Sequence, residues 1–379
     1  MINSQKSINK FTLIIFTNSP GELTSWVKPI VSQFLLLCPK ASVWIYLTPC
    51  QYSTQSEYSV AKNIPGVSKV LKPSQTIKQL FKLPIRQPFT NRGALLFLGG
   101  DPLYSQLYRL KYNLPLFGYS EHSGSLTWNF TKVFYKDIDG NLMSDSCQLF
   151  KQKFTKEQRD TFCRDHSISY RNFGLFLCGS RPAHFRAFFP LICKTINYLN
   201  QTCDNFPSVI LLSPFMKQED IDWALTFKSE QLKIVQGNSY PWIACSRLMI
   251  SLPGTNTAEA MFLGTPTFTI VPLNKPSLIQ LDGLLGLLSN LPIIGIMIKR
   301  LLILYLKNKI PFFSHPNKYF RRALCPEFVG IVQPNKLSQD IINVYMDSMK
   351  LKDIQNELTK IPSDQLLSRK ICHTILFSS

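Results

Sequence analysis

Short runs of apolar, β-favouring residues recur along the first half of the chain, at Phe11 to Thr17, Ser42 to Thr48, Ala94 to Leu98 and Thr131 to Tyr135. Between some of them apolar positions return every three or four residues, most clearly from Leu23 to Leu37, which predicts a helix. The second half repeats the scheme, with strands expected at Phe173 to Leu177, Ser208 to Leu212, Leu232 to Val235, Leu248 to Leu252 and Thr267 to Val271. Helices are expected near His184 to Leu199, Glu219 to Phe227 and Asn256 to Leu263. Strands that alternate with helices build parallel sheets covered by helices. The pattern therefore predicts an α/β chain of two successive doubly wound, Rossmann-like domains.

The polar stretch from Lys151 to Arg171 separates the halves. We place the first domain at 1–165 and the second at 166–345, the latter carrying an apolar insertion at 281–310, with a helical tail at 346–379. The insertion is unusual, because from Gly283 to Ile298 sixteen residues carry no charge before Lys299-Arg300 follows. That falls short of the about 20 residues a spanning helix needs. A block flanked by cations is expected to lie in a membrane surface without crossing it, while a buried pair of core helices is the plainer reading. At the other end, Phe11 to Phe16 is too short for a signal h-region and reads as the first buried strand.

Composition narrows the partners. At 379 residues the chain exceeds what one core usually serves. Forty-two Lys and Arg against 23 Asp and Glu give a net charge of +19, which draws the protein toward phosphorylated ligands or anionic lipid. No basic run interleaved with aromatics stands out, so nucleic acid is not an expected partner. The ten cysteines show no CxxC or paired spacing, which fits a reducing, cytoplasmic setting and neither zinc nor a disulfide framework.

The segment Leu252-Pro-Gly-Thr-Asn-Thr-Ala-Glu-Ala-Met-Phe-Leu-Gly-Thr-Pro266 lies between two predicted strands. A strand that ends at Pro253-Gly254 and opens a helix through Thr255 and Asn256 presents free backbone N–H groups and the positive helix end to an anion such as a diphosphate. Glu259 falls about one turn inside, where a carboxylate can accept from both hydroxyls of a ribose. The plainer reading is a βαβ turn with a solvent-facing Glu. Gln236-Gly237 follows another strand, where the glycine admits close approach of a ligand to backbone, though a plain turn is nearly as good a reading. Asp101 sits at the carboxyl edge of a predicted strand, where parallel sheets place ligands, and it could act as a general base or simply cap the next helix. Glu22, Glu121 and His122 are the other polar candidates in this half. Two Asp-x-Asp matches do not predict a metal: Asp137-Ile138-Asp139 precedes Gly140-Asn141 and reads as a turn, and Asp220-Ile221-Asp222 opens a helix on which i and i+2 diverge.

Gly254-Thr255-Asn256-Thr257-Ala258-Glu259 with Leu263-Gly264-Thr265-Pro266 resembles the donor segment of GT-B glycosyltransferases, specifically of lipid-A-disaccharide synthase and its relatives. Other pieces follow in order: Ser19-Pro20-Gly21-Glu22-Leu23, Gly99-Gly100-Asp101, Gly179-Ser180-Arg181, and Pro316-Asn317 followed by Arg322 and Cys325-Pro326-Glu327-Phe328-Val329. The resemblance spans about residues 10 to 335 and implies a GT-B fold, two Rossmann-like domains facing a cleft. It implies inverting transfer of a sugar from a UDP-sugar to a lipid-linked or saccharide acceptor at a membrane's inner face, with no cofactor and no metal. Donor contacts would come from Ser180, Arg181, Gln236, Gly237, Gly254, Thr255, Asn256, Glu259, Asn317 and Glu327. Asp101 and Glu22 would be catalytic, and Gly21, Glu121 and His122 would face the acceptor. Where the synthase continues its Gly-Glu loop with Ala-Ser-Gly-Asp, this chain reads Leu23-Thr24-Ser25-Trp26.

Two other functions remain consistent with these residues. A sugar-nucleotide epimerase of the same fold would use carboxylates for proton transfer, although a soluble substrate has no need of the apolar insertion. A non-catalytic, membrane-associated scaffold would keep the fold and bind no UDP.

Overall fold

The computed structural model describes residues 11–49, 56–84, 89, 92–121, 128–179, 182–203, 206–229, 232–273, 311–362 and 366–378. The apolar insertion lies outside the described residues, as do His122, Ser180 and Arg181. Among the described residues no helix is long and apolar enough to cross a membrane.

The chain divides into two compact units, Met1–Leu149 with Ser363–Ser379, and Phe150–Pro362. Each holds a six-stranded sheet whose strands all pair in parallel. The first contains β1 (Thr12–Thr17), β2 (Ser42–Leu47), β3 (Val67–Leu71), β4 (Gly93–Phe97), β5 (Leu116–Ser120) and β6 (Lys132–Tyr135) in the order β3-β2-β1-β4-β5-β6. The second contains β7 (Gly174–Leu177), β8 (Ser208–Leu212), β9 (Lys233–Gln236), β10 (Leu248–Ser251), β11 (Thr267–Pro272) and β12 (Glu327–Gly330) in the order β12-β11-β10-β7-β8-β9. Strand order reverses between β1 and β4 in one sheet and between β7 and β10 in the other. At such reversals the loops leaving two adjacent strands part, and a crevice opens at the carboxyl ends.

Central strands are continuous apolar runs because both faces are covered. All six residues of β1 and all four of β10 are buried. Their side chains meet the flanking helices in cores around Phe16, Tyr46 and Tyr108 in the first unit and Phe176, Phe189 and Ile250 in the second. Three strands lie outside the expected set. The edge strand β3 is only half-buried, β12 likewise, and β5 reads Leu-Phe-Gly-Tyr-Ser, without a β-branched residue.

The expected helix at Leu23 to Leu37 begins earlier and is not uniform. Pro20–Glu22 is followed by a wider turn over Leu23–Val27, closed by Lys28 N donating to Leu23 O, before an ordinary helix runs from Lys28 to Leu37. Pro29 is the cause, since it brings no N–H to the preceding turn. The carbonyls of Thr24 and Ser25 instead accept from the Ser146 hydroxyl, at 3.3 and 3.1 Å.

The tail also divides. Helices Pro334–Met346 and Ser348–Thr359 fall in the second unit, whereas Leu367–Ser378 returns to the first and packs its buried Ile371, Cys372 and Ile375 against the helix Lys28–Leu37. Asp145 fixes its start, accepting from Ser368 N at 2.5 Å. In the Asp-x-Asp pairs, Asp139, Asp220 and Asp222 bond to protein groups. Lys136–Asp139 is one helical turn rather than an open one, with Asp139 capping Tyr135 N and paired to Lys370 at 2.7 Å. In the helix Gln218–Leu225, Asp220 is buried against Arg186 while Asp222 takes a bond from Gln218.

Candidate functional site

In the second unit the loops at the strand reversal are those after β7 and β10. Gly179 leaves β7 at φ +85°, and a Cβ there would touch Leu252 at 3.8 Å, so this loop lies against the one that leaves β10. Gly254 is the N-cap of the helix Thr255–Leu263 at φ +154°, a backbone that side chains rarely adopt, with open space around it. Thr255 and Asn256 follow on the surface at the first turn, their N–H groups among those a helix start leaves without intrahelical acceptors.

Glu259 does not face solvent. It is 6% exposed, its Oε2 accepts from the Ser239 hydroxyl at 3.0 Å, and burial pushes its carboxyl up to about 7 against the lowering effect of that bond. Ser239 opens the helix Ser239–Cys245, directly after Gln236, Gly237 and the N-cap Asn238, whose side chain accepts from Tyr240 N. The fold thus brings the Gln236-Gly237 turn and the Glu259 carboxylate together through Ser239. Gln236 turns its amide back to Ser213 O at 3.4 Å, and Gly237 N donates to Leu212 O.

Asn317 and Glu327 form the third part of this site, and they are engaged with protein atoms. The Glu327 carboxylate accepts from Phe313 N, Ser314 N, Ser314 Oγ and Asn317 Nδ2. The buried Asn317 amide also donates to Cys325 O and accepts from Cys325 N, at 2.8 and 2.7 Å. Their described bonds make them holders of the 313–327 loop. What that loop presents to the helix start is His315. Its N–H donates to Thr257 Oγ1 at 3.2 Å and its Nδ1 lies 2.9 Å from the same oxygen, which also donates to Gly254 O at 2.8 Å. Sequence reasoning missed Thr257, His315 and Ser239, because their roles depend on neighbours far along the chain.

In the first unit the reversal places Asn18 to Glu22 beside Gly99 to Asp101. Glu22 accepts from Thr17 Oγ1 at 2.8 Å and Asn18 N at 3.1 Å, and its own N–H reaches Ser19 Oγ. Its carboxylate rests on Gly99, where a Cβ would come within 2.1 Å of Oε2. Burial raises the Glu22 carboxyl above its ordinary value, and the donors from Asn18, Thr17 and Ser19 only partly offset this. Gly21 is exposed beside it. Asp101 is an exposed N-cap, accepting from Leu103 N at 2.9 Å. Glu121, at the end of β5, pairs with Lys136 at 2.8 Å. No cluster of potential metal ligands occurs among the described residues.

Comparison with solved structures adds to this geometry. S. aureus MnaA, in a co-structure with UDP, superposes with a TM-score of 0.58 at 11% identity, covering 98% of this chain and 97% of that one. The UDP-GlcNAc 2-epimerase from Neisseria meningitidis bound to UDP-GlcNAc gives 0.56 at 13%, over 97% and 100%. Medicago truncatula UGT71G1 complexed with UDP-glucose gives 0.51 at 11%, over 97% and 98%. The fold is GT-B. No family model and no curated protein sequence matches the chain. The GT-B architecture explains why the loops described above gather at the carboxyl edges of two separate sheets, one set in each unit.

Proposed function

We propose that this GT-B protein is a sugar-nucleotide enzyme, a glycosyltransferase that moves a sugar from a UDP-sugar to a lipid-linked or saccharide acceptor by inverting displacement, similar to lipid-A-disaccharide synthase. One observation carries the reading: a buried carboxylate, Glu259, lies one turn inside a glycine-capped helix that opens at the strand reversal of the second sheet. The N–H groups at Thr255 and Asn256 suit a diphosphate, and Glu259 suits the ribose diol. Arg181, in the loop after β7, would add a two-pronged contact to phosphate. The UDP, UDP-GlcNAc and UDP-glucose carried by the similar structures support the uridine diphosphate part of the reading.

In this mechanism the acceptor hydroxyl attacks the anomeric carbon as the bond to the β-phosphate breaks. A carboxylate takes the hydroxyl's proton, and the helix start receives the charge left on UDP. Of the two carboxylates proposed as catalytic, Glu22 is taken first, because burial raises its affinity for a proton above that of an ordinary carboxylate. The phosphate charge is met by helix and arginine, so the reading needs no metal.

The same property of Glu22 favours a second reading, epimerisation of the sugar nucleotide, in which a carboxylate withdraws a proton from a sugar carbon. The two are separated by incubating the protein with a panel of UDP-sugars in D₂O, with and without extracted membrane lipid. Transfer releases UDP and adds sugar mass to the lipid fraction, whereas epimerisation introduces deuterium into the UDP-sugar without acceptor. Neither outcome, together with no UDP binding by calorimetry, would leave the non-catalytic scaffold. The membrane part of the reading rests on the 281–310 sequence alone, and liposome flotation of wild type against a Leu287→Asp, Ile294→Asp double variant tests it. Equal flotation of the two overturns a surface role for that block.

A further inference from the structure

Trp26 stands in the widened turn Leu23–Val27, one turn after Glu22. In such a turn successive residues rotate by less than in an α-helix, so a residue four positions on lies almost directly above the first. Glu22 and Trp26 therefore share a face. The Glu22 carboxylate rests on Gly99 beyond the end of β4, and the Trp26 ring meets Tyr119, near the end of the adjacent strand β5, edge-on at 5.3 Å and 77°. Tyr119 is 1% exposed, so this contact fixes the indole from below, while Trp26 itself is only half-buried. Beyond Tyr119 the strand delivers Ser120 and Glu121, with Lys136 on the Glu121 carboxylate. On its own helix the residues three and four positions from Trp26 are Glu22, Leu23, Pro29 and Ile30, of which Glu22 is half-buried and the three apolar ones are buried.

One fixed aromatic face flanked by carboxylates and a lysine matches a pyranose ring. The C–H groups on the apolar face of a sugar carry partial positive charge that meets the negative face of the indole, and its outward hydroxyls need acceptors and donors at the rim. An acyl chain would need a contiguous exposed apolar surface, and the apolar helix neighbours of Trp26 are all buried. We propose that Trp26 is a stacking platform for the saccharide of the acceptor, and so a residue that sets acceptor specificity in the first unit. The proposal rests on the transferase reading and adds a subsite to it.

The test uses methyl β-glucopyranoside and methyl β-N-acetylglucosaminide as probes of the full chain, with wild type, Trp26→Leu and Trp26→Phe. Wild type should show a saturable change in tryptophan emission with at least one probe, and Trp26→Leu should lose it. In transfer assays Trp26→Leu should raise the acceptor KM about tenfold with kcat little changed, Trp26→Phe should lie between, and UDP affinity by calorimetry should be the same in all three. No saturable response in wild type, or an unaltered response or KM in a folded Trp26→Leu protein, overturns the platform. Failure of wild type to bind UDP would instead overturn the transferase reading beneath it.

Discussion

The Ser239 hydroxyl donates to Glu259 Oε2 at 3.0 Å, joining the turn after β9 to the first turns of the helix after β10. The bond favours the charged carboxylate, yet burial still holds its pKa at about 7. Ribose hydroxyls that donate to Glu259 would bind only the ionised form, so a nucleotide must displace a proton below that pH. UDP affinity should therefore fall up to tenfold per pH unit below about 7 and level off above it. Glu259→Gln should weaken binding by about 1 to 3 kcal/mol and flatten the profile, and Ser239→Ala should move the inflection to higher pH. Calorimetry from pH 5.5 to 8.5 checks all three. A wild-type profile without this inflection would remove Glu259 from the ribose.

Gly99 is the floor on which the Glu22 carboxylate rests, and a methyl group there cannot coexist with the present position of that carboxylate. Gly99→Ala should push Glu22 off its Thr17 and Asn18 donors and reduce turnover without altering UDP affinity, because the change lies in the first unit. Glu22→Gln should reduce turnover about 10² to 10⁴-fold if it is the base, and Asp101→Asn should lose far less, chiefly through its helix cap. Steady-state kinetics on the two variants decides between the carboxylates. A greater loss in Asp101→Asn would reverse the assignment.

Strands covered on both faces are the most legible, with β5 the exception because Gly118 interrupts its run, while the edges divide: β6 and β9 are read from the sequence and β3 and β12 are not. β1, β4, β8, β10 and β11 are covered on both faces and so read as unbroken apolar runs, while β3 and β12 lie at edges where half-exposed residues erase the pattern. The glycine-capped helix start at Gly254 is equally legible, since it depends on residues adjacent in sequence. The burial of Glu259 is not, because it follows from the packing of the helix Ser239–Cys245 against Thr255–Leu263. Likewise nothing local tells that Asn317 and Glu327 bond to each other.

Pro29 and Ser146 form a compensating pair. In a regular helix Ser25 O would meet the N–H of residue 29, which proline lacks, and the Ser146 hydroxyl takes its place at 3.1 Å. Ser146→Ala should destabilise the protein by about 1 to 3 kcal/mol, the penalty for a buried Ser25 carbonyl that loses its donor. In a Pro29→Ala background the same change should cost much less, because the restored N–H supplies the missing donor. Urea denaturation of the four proteins gives the coupling. Additive losses would show that Ser146 acts elsewhere.

Asp145 links the returning C-terminal helix to stability and pH. It is 2% exposed, and although it accepts from Ser368 N and Leu367 N at the helix start, burial dominates and raises its pKa from 3.8 to about 6. A carboxyl that binds its proton more tightly when folded adds stability that is fully present below pH 3.8. That contribution is lost progressively as pH rises to about 6 and absent above it. The Asp145→Asn protein keeps an acceptor for Ser368 N and carries no charge to bury. It should lack this slope and at pH 8 be as stable as wild type or more so, by up to about 2 kcal/mol. Asp145→Ala should lie about 1 kcal/mol below Asp145→Asn at every pH, because the first-turn donors of Leu367–Ser378 go without a cap. Urea denaturation between pH 4 and 8 distinguishes the three. A wild-type stability that rises across this window relative to Asp145→Asn would mean that the ionised carboxylate, through the helix N-terminus, outweighs its burial.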